Sequence, residues 1–193
     1  MFYSIIKPVF YILLHIFFRI KVLNKKNVPG SGSLIICCNH ISLLDPAIVA
    51  VHVKRKITFL AKAVVFKWFL LGFIAKKCGA IPVNPGKSDI TALKACIKTL
   101  KEGKIFGIFP EGARYFIAGE LKTQTGIAMI AHKTKAPVLP VRIVCNGRAR
   151  LFKKITVVFG RPKSFEELGF GEGRQEDFRR VSESIYREIL SLG

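Results

Sequence analysis

The sequence predicts an α/β domain: a mixed, largely parallel sheet flanked by helices, with an apolar amino-terminal helix that associates with a membrane. Three observations predict it. Short apolar runs bounded by turn residues alternate with longer amphipathic runs, the order expected of strands and crossover helices. Polar clusters stand at the carboxyl ends of two such strands, where open α/β sheets carry their sites. The first 22 residues are apolar apart from Ser4, Lys7, His15, Arg19 and Lys21.

The chain of 193 residues is of single-domain size and can bury one sizeable core. Its 32 Lys and Arg against 12 Asp and Glu give a net charge of +20, so its surface attracts polyanions. Half of the residues are hydrophobic and 16 are Phe. Apolar surface combined with positive charge points to an anionic membrane face rather than to a nucleic-acid groove. The five cysteines form no Cys-x-x-Cys pair that would suggest zinc, and they read as free thiols in a reducing compartment.

Residues 1–22 read as an uncleaved anchor lying in one leaflet, with a single crossing as the alternative. The uninterrupted apolar stretch, Pro8 to Leu14, is too short to span about 30 Å of hydrocarbon. No basic start followed by a small-residue cleavage site marks a secretory signal. The aromatic residues Phe2, Tyr3, Phe10, Tyr11, Phe17 and Phe18 spread around this helix, which speaks against simple packing on the domain. A division follows, with residues 1–27 as the membrane-associating helix and 28–193 as the α/β domain.

After the turn Gly30-Ser31-Gly32-Ser33, Leu34 to Cys38 is a wholly apolar buried strand. It leads into Asn39, His40 and then Asp45-Pro46, where Asp45 reads as a helix cap and Pro46 as the first helical residue. Ile57 to Leu60 is a second strand. Phe59 to Ala75, with Trp68, Phe69 and Phe73 interspersed by Lys62 and Lys67, reads as a second membrane-contacting helix. Ala80 to Val83 is a third strand. Gly86-Lys87-Ser88 follows, but six residues lie between Gly79 and Gly86 instead of four, which excludes a P-loop. Ser88 reads as the cap of a helix from Asp89 to Lys101. Lys104 to Phe109 is a fourth strand ending in Pro110-Glu111-Gly112-Ala113-Arg114, a tight turn presenting a guanidinium to an anion. A small-residue helix from Gly126 to Lys133, strands at Val138 to Val144 and Ile155 to Phe159, and an amphipathic helix from Gln175 to Leu192 complete the chain.

His40 and Asp45 together suggest a histidine whose one ring nitrogen is held by a carboxylate, leaving the other as a base. Asn39, His40 and Asp45 resemble the first motif of the 1-acylglycerol-3-phosphate O-acyltransferase family. Phe109-Pro110-Glu111-Gly112-Ala113-Arg114 is similar to that family's Phe-Pro-Glu-Gly-Thr-Arg block, Ala136 to Val141 to its later proline-containing strand, and Phe59-Leu60-Ala61-Lys62 to the segment before its apolar helix. The resemblance runs from Val28 to Arg161. It implies a membrane-associated enzyme on the cytoplasmic face of the cell membrane. Such an enzyme moves a fatty acyl group from acyl-CoA or acyl carrier protein to a lysophospholipid hydroxyl, with 1-acylglycerol-3-phosphate giving phosphatidic acid. The thioester is a co-substrate, and no metal or other cofactor is implied.

Carried over, His40 is the base and Asp45 its orienting partner. Asn39, Lys62, Glu111, Gly112 and Arg114 contact substrate, and no enzyme nucleophile is implied at Ser42. Two positions depart from the family pattern: Pro85 replaces an arginine that contacts the acceptor, and Gln124 replaces a common lysine. Lys77 or Lys87 restores charge there but not the guanidinium fork. These departures leave open an acceptor other than lysophosphatidic acid, or a non-enzymatic lipid-binding or membrane-remodelling protein on the same fold.

Overall fold

The computed structural model describes residues 2–84, 89–112, 124–145, 147 and 151–193. The apolar runs pair into one seven-stranded sheet in the order β1-β7-β6-β2-β5-β3-β4. The strands are β1 (Arg19–Leu23), β2 (Leu34–Cys38), β3 (Ile57–Lys62), β4 (Ile81–Val83), β5 (Ile105–Ile108), β6 (Val138–Cys145) and β7 (Lys154–Phe159). All neighbouring pairs are parallel except β6 with β7, so the sheet is mixed and largely parallel. The helices are α1 (Phe2–Phe17), α2 (Asp45–His52), α3 (Phe69–Cys78), α4 (Ile90–Lys101), α5 (Gly126–Thr134) and α6 (Gln175–Ser191).

The period of two along a strand divides the core into two layers. Ile35, Cys37, Phe106 and Ile108 face α4, α5 and α6. Leu34, Ile36, Cys38 and Ile105 face α1 and α2. Every residue of β2 is buried, as a central strand with helices on both sides requires. Adjacent Cys37 and Cys38 point into opposite layers, and all five thiols are free. Burial pushes the Cys37 and Cys38 thiols far above their ordinary range, with the negative charges of Glu111 and Asp45 adding to it, which keeps them protonated and unreactive.

Three sequence expectations are corrected. The amino-terminal helix stops at Phe17 rather than running to Val22, because Arg19 to Leu23 alternate polar and apolar and pair with β7 as an edge strand. At about 1.5 Å per residue α1 is roughly 24 Å long, and no helix among the described residues is long and apolar enough to cross a membrane. It packs on the domain through one side: Leu14 is buried, and Tyr3, Ile6, Lys7 and Phe10 turn inward. Ile5, Val9, Ile12 and Ile16, at helical spacing on another side, are exposed. Residues 59–75 are not one helix either: β3 continues to Lys62, a 3-10 turn covers Ala63–Lys67, and α3 begins at Phe69. The helix α4 is capped by Asp89, whose carboxylate accepts the Ala92 N–H at 3.0 Å, and Ser88 lies outside the described residues.

Candidate functional site

Two neighbouring strands, β2 and β5, are followed by helices on opposite faces of the sheet: α2 against the layer of Ile36 and α5 against the layer of Ile35. Where successive connections diverge in this way, a crevice opens beyond the strand ends. The register pairs Cys37 with Ile108. Three residues further along each strand come His40 and Glu111, and the His40 backbone N–H donates to Glu111 Oε2 at 2.9 Å.

Asp45 is the first residue of α2 and does not cap it; no side-chain cap bond forms at that end. Its Oδ2 turns back and accepts three N–H groups, His40 Nδ1 at 2.8 Å and the backbones of Ile41 and Ser42 at 2.7 Å each. The carboxylate thus closes the loop that carries the histidine. Its Oδ1 is buried without a partner among the described residues. The amino end of α2 compensates in part, since a helix dipole favours negative charge there. With Nδ1 donating to Asp45, the His40 lone pair is left on Nε2, and the side chain is 17% exposed. Ser42 Oγ accepts the Leu44 N–H, a turn bond and not a nucleophile's arrangement.

The imidazole is also held from the side. It stacks on Phe109 with ring centroids 4.2 Å apart, and Phe109 stacks on Phe59 at 5.7 Å. Phe59 can lie there because its register partner on β5 is Gly107: a Cβ at position 107 would stand 2.3 Å from the Phe59 ring. A side chain at that position would therefore displace the whole stack.

Glu111 is buried, and its second oxygen accepts the Tyr186 hydroxyl of α6 at 2.8 Å. Burial raises its pKa above the ordinary carboxylate value, while the bonds from Tyr186 and from the His40 backbone favour the charged form. Both oxygens thus bind protein groups, and Glu111 ties the His40 loop to α6. Asn39 is similar. Its buried amide donates to Ile143 O at 2.9 Å and accepts Ile143 N–H at 2.7 Å, extending the β2 ladder to β6 by a side chain. Gly112 adopts φ +65°, the tight turn expected of it. Lys62 ends β3 and is exposed, while the Lys77 ammonium lies 5.8 Å from the Phe73 ring. Arg114, Lys87 and Pro85 lie outside the described residues. Gln124 donates its backbone N–H to Pro110 O and closes the base of the Glu111 loop.

Beside the pair an apolar cleft of about 220 Å³ opens between α1, α2, β3 and α3. Leu44, Pro46 and Ala47 on its wall flank Asp45, and Phe59, Val65, Leu71 and Ile74 continue it. Lys7 also borders it; its ammonium donates to Val53 O at 2.5 Å and Lys54 O at 3.1 Å just beyond the carboxyl end of α2, and burial lowers its pKa. Sequence reasoning did not find this cleft, Tyr186 or the aromatic stack. Only Phe59 and Phe109, each inside a motif already singled out, carried a signal.

An imidazole tied to a carboxylate through Nδ1, with an apolar cleft whose wall flanks that carboxylate, is an arrangement able to deprotonate a hydroxyl. Residues 19–144 match the family model described as Acyltransferase. The 1-acyl-sn-glycerol-3-phosphate acyltransferase of Bacillus subtilis is 35% identical over 150 residues, 74% of this chain and 73% of that protein. The enzyme of the same name from Borreliella burgdorferi is 31% identical over 127 residues, 65% of this chain and 51% of that protein. The crystal structure of the 1-acyl-sn-glycerophosphate (LPA) acyltransferase PlsC from Thermotoga maritima matches with a TM-score of 0.76 at 26% identity, covering 97% of this chain and 78% of that one. The chain belongs to this acyltransferase family and is an O-acyltransferase of the 1-acylglycerol-3-phosphate acyltransferase type.

Proposed function

We propose that the chain transfers a fatty acyl group from the thioester of acyl-CoA or acyl carrier protein to the hydroxyl of a lysophospholipid at an anionic membrane surface. The first acceptor to consider is 1-acylglycerol-3-phosphate, which yields phosphatidic acid. The reading is carried by the His40 Nδ1 to Asp45 Oδ2 bond, which leaves the lone pair on Nε2, and by the apolar cleft whose wall includes Leu44, Pro46 and Ala47 on either side of Asp45. Nε2 takes the acceptor's hydroxyl proton as its oxygen attacks the thioester carbonyl. The C–O bond forms, the C–S bond breaks, and the imidazolium returns the proton to the departing thiolate. Asp45 balances the positive ring during that step, and the enzyme is never acylated. The cleft supplies a place for an acyl chain, because apolar walls favour methylenes by about 0.8 kcal/mol each. The acceptor phosphate falls to Arg114 and nearby lysines such as Lys62. Supporting the membrane part are the exposed apolar side of α1 and the helix α3, where Phe69 is 97% exposed.

The test is thiol release across a panel of donors and lysolipid acceptors with purified wild type and His40→Ala. The variant is expected to fold and to lose roughly 10²- to 10⁴-fold in rate. Unchanged turnover would remove the base. A second reading, an acceptor other than a phosphate monoester, is favoured by Pro85 in place of the family's arginine. It holds if the panel prefers a head group other than glycerol phosphate.

A further inference from the structure

The turn joining β6 to β7 carries features that the reaction does not use. Leu151 and Phe152 are 60% and 65% exposed, and Phe152 adopts φ +65°, which is uncommon for a bulky residue. Two large apolar side chains thus stand in solvent, one of them on a strained backbone. Phe152 and Lys153 are also fixed in place: the Phe152 N–H donates to the last carbonyl of α1, Phe17 O, at 2.6 Å, and Arg19 N–H donates to Lys153 O at 3.1 Å. Ile12, Leu13, Ile16 and Phe17, on the last turns of α1, are exposed as well. The apolar surface of α1 thus continues at its carboxyl end onto the β6–β7 turn.

Cations border the same place. His15, Arg19, Lys21, Phe152, Lys153 and Lys154 line one concavity. Arg19 and Lys154 are register partners across the parallel β1–β7 pair, about 5 Å apart at the backbone. Lys21, two residues beyond Arg19, shares its face of the strand. Like charges side by side on a sheet repel. Among the described residues none of Arg19, Lys21 and Lys154 is paired with a carboxylate. Such a group is satisfied by an external anion, and the adjoining apolar side chains identify that anion as part of an amphiphile. A nucleic acid would meet the cations but would leave Leu151 and Phe152 in water.

We infer that Leu151 and Phe152, just before β7, form a further membrane contact: they insert among acyl chains while Arg19, Lys21 and Lys154 bind anionic phospholipid head groups. This rests on the membrane association proposed above and adds to it a defined element outside α1 and α3. It makes the carboxyl end of α1 the place where the protein distinguishes anionic from zwitterionic bilayers.

The experiment uses the full chain with Trp68→Phe, which removes the one native tryptophan, combined with Phe152→Trp or, as a second probe, Leu151→Trp. Vesicles are phosphatidylcholine alone or mixed with phosphatidylglycerol, and some carry brominated acyl chains. The introduced tryptophan is expected to shift to the blue and to be quenched by bromine when the protein binds the mixed vesicles. Lys21→Ser with Lys154→Ser is expected to lower affinity for the mixed vesicles roughly 30-fold and to leave affinity for phosphatidylcholine and acyl transfer in detergent unchanged. If the protein sediments with vesicles while both tryptophan probes remain unshifted and unquenched, the turn does not touch lipid and the inference fails, with the membrane reading intact. If the wild type sediments with neither vesicle, the membrane reading fails and takes this inference with it.

Discussion

The two helical layers that cover the sheet differ in their outer surfaces. On one side α6 presents water with a lattice of ion pairs, Arg179 and Arg187 to Glu183 and Arg180 to Asp177, over a buried row of Val181, Ile185 and Ile189. On the other side α1 and α3 bury one set of apolar residues against the domain and leave a second set, Ile5, Ile12, Ile16, Phe69 and Phe73, facing outward. The first layer is complete in water. The second has the composition of a core on both sides, and a bilayer is the solvent that would suit it. Both layers reach His40, α2 through the Asp45 carboxylate and α6 through Tyr186 and Glu111. His40 is clamped between a half with an apolar outer face and a half with an ion-paired one.

Substitutions in each half can break that comparison. The largest effect is expected for Asp45→Asn on the α2 side, which keeps the volume but removes the negative charge from the group that accepts three N–H groups. Thiol release should fall by about 10³- to 10⁴-fold, as when an orienting carboxylate is lost. A small loss would mean that the stack on Phe109 orients the ring unaided. Next comes Ile5→Ser with Ile12→Ser and Ile16→Ser on the outer side of α1. Because these residues are exposed, thermal stability should change little, while vesicle affinity should drop by about a hundredfold. A large fall in melting temperature instead would show that this side is packed.

Tyr186→Phe, on the α6 side, removes a hydroxyl from a buried carboxylate and should lower stability by about 1.5–3 kcal/mol at neutral pH. The pH dependence is specific. Burial lets folded Glu111 hold its proton to higher pH than the unfolded chain does, so its contribution to stability falls as pH rises through that interval. The Tyr186 hydroxyl offsets this by favouring the charged form. The difference between variant and wild type in denaturant titrations should therefore be full at neutral pH and shrink in acid, where Glu111 is protonated. A constant difference would make Tyr186 a packing residue only. The smallest effect is expected for Glu183→Ala, which breaks two exposed ion pairs and should shift stability by less than about 1 kcal/mol, with neither vesicle binding nor turnover altered.

Much of this was readable in the sequence. The extent of β2 and the helices α4, α5 and α6 follow from hydrophobic period, and the His40–Asp45 pair follows from spacing along one loop. What the sequence hid has identifiable physical causes. The strand β1 alternates correctly, but it adjoins an apolar helix with no turn signal between them, so the helix seemed to run on. Asp-Pro marks a helix start whether the carboxylate caps forward or, as here, bends back to an imidazole. The bond from Tyr186 to Glu111 joins residues 75 apart, and no local pattern encodes it. The aromatic stack depends on an absent side chain at Gly107, visible only once β3 and β5 are in register. The bonds that hold Asn39 and Glu111, to the Ile143 backbone and to Tyr186, likewise join positions far apart in the chain.

The joint between α1 and β1 carries a mechanical consequence. The helix ends at Phe17, the strand begins at Arg19, and the intervening Phe18 is buried with its N–H bonded to Leu14 O. That connection has no slack. If α1 rests at a given depth in a leaflet, the sheet is carried at a set height above it, and His40 with it, like a tool clamped in a fixed stand. A lysolipid hydroxyl then meets the base at one elevation above the bilayer. A few inserted glycines between Phe17 and Arg19 would turn the stand into a hinge, without touching any residue of the site.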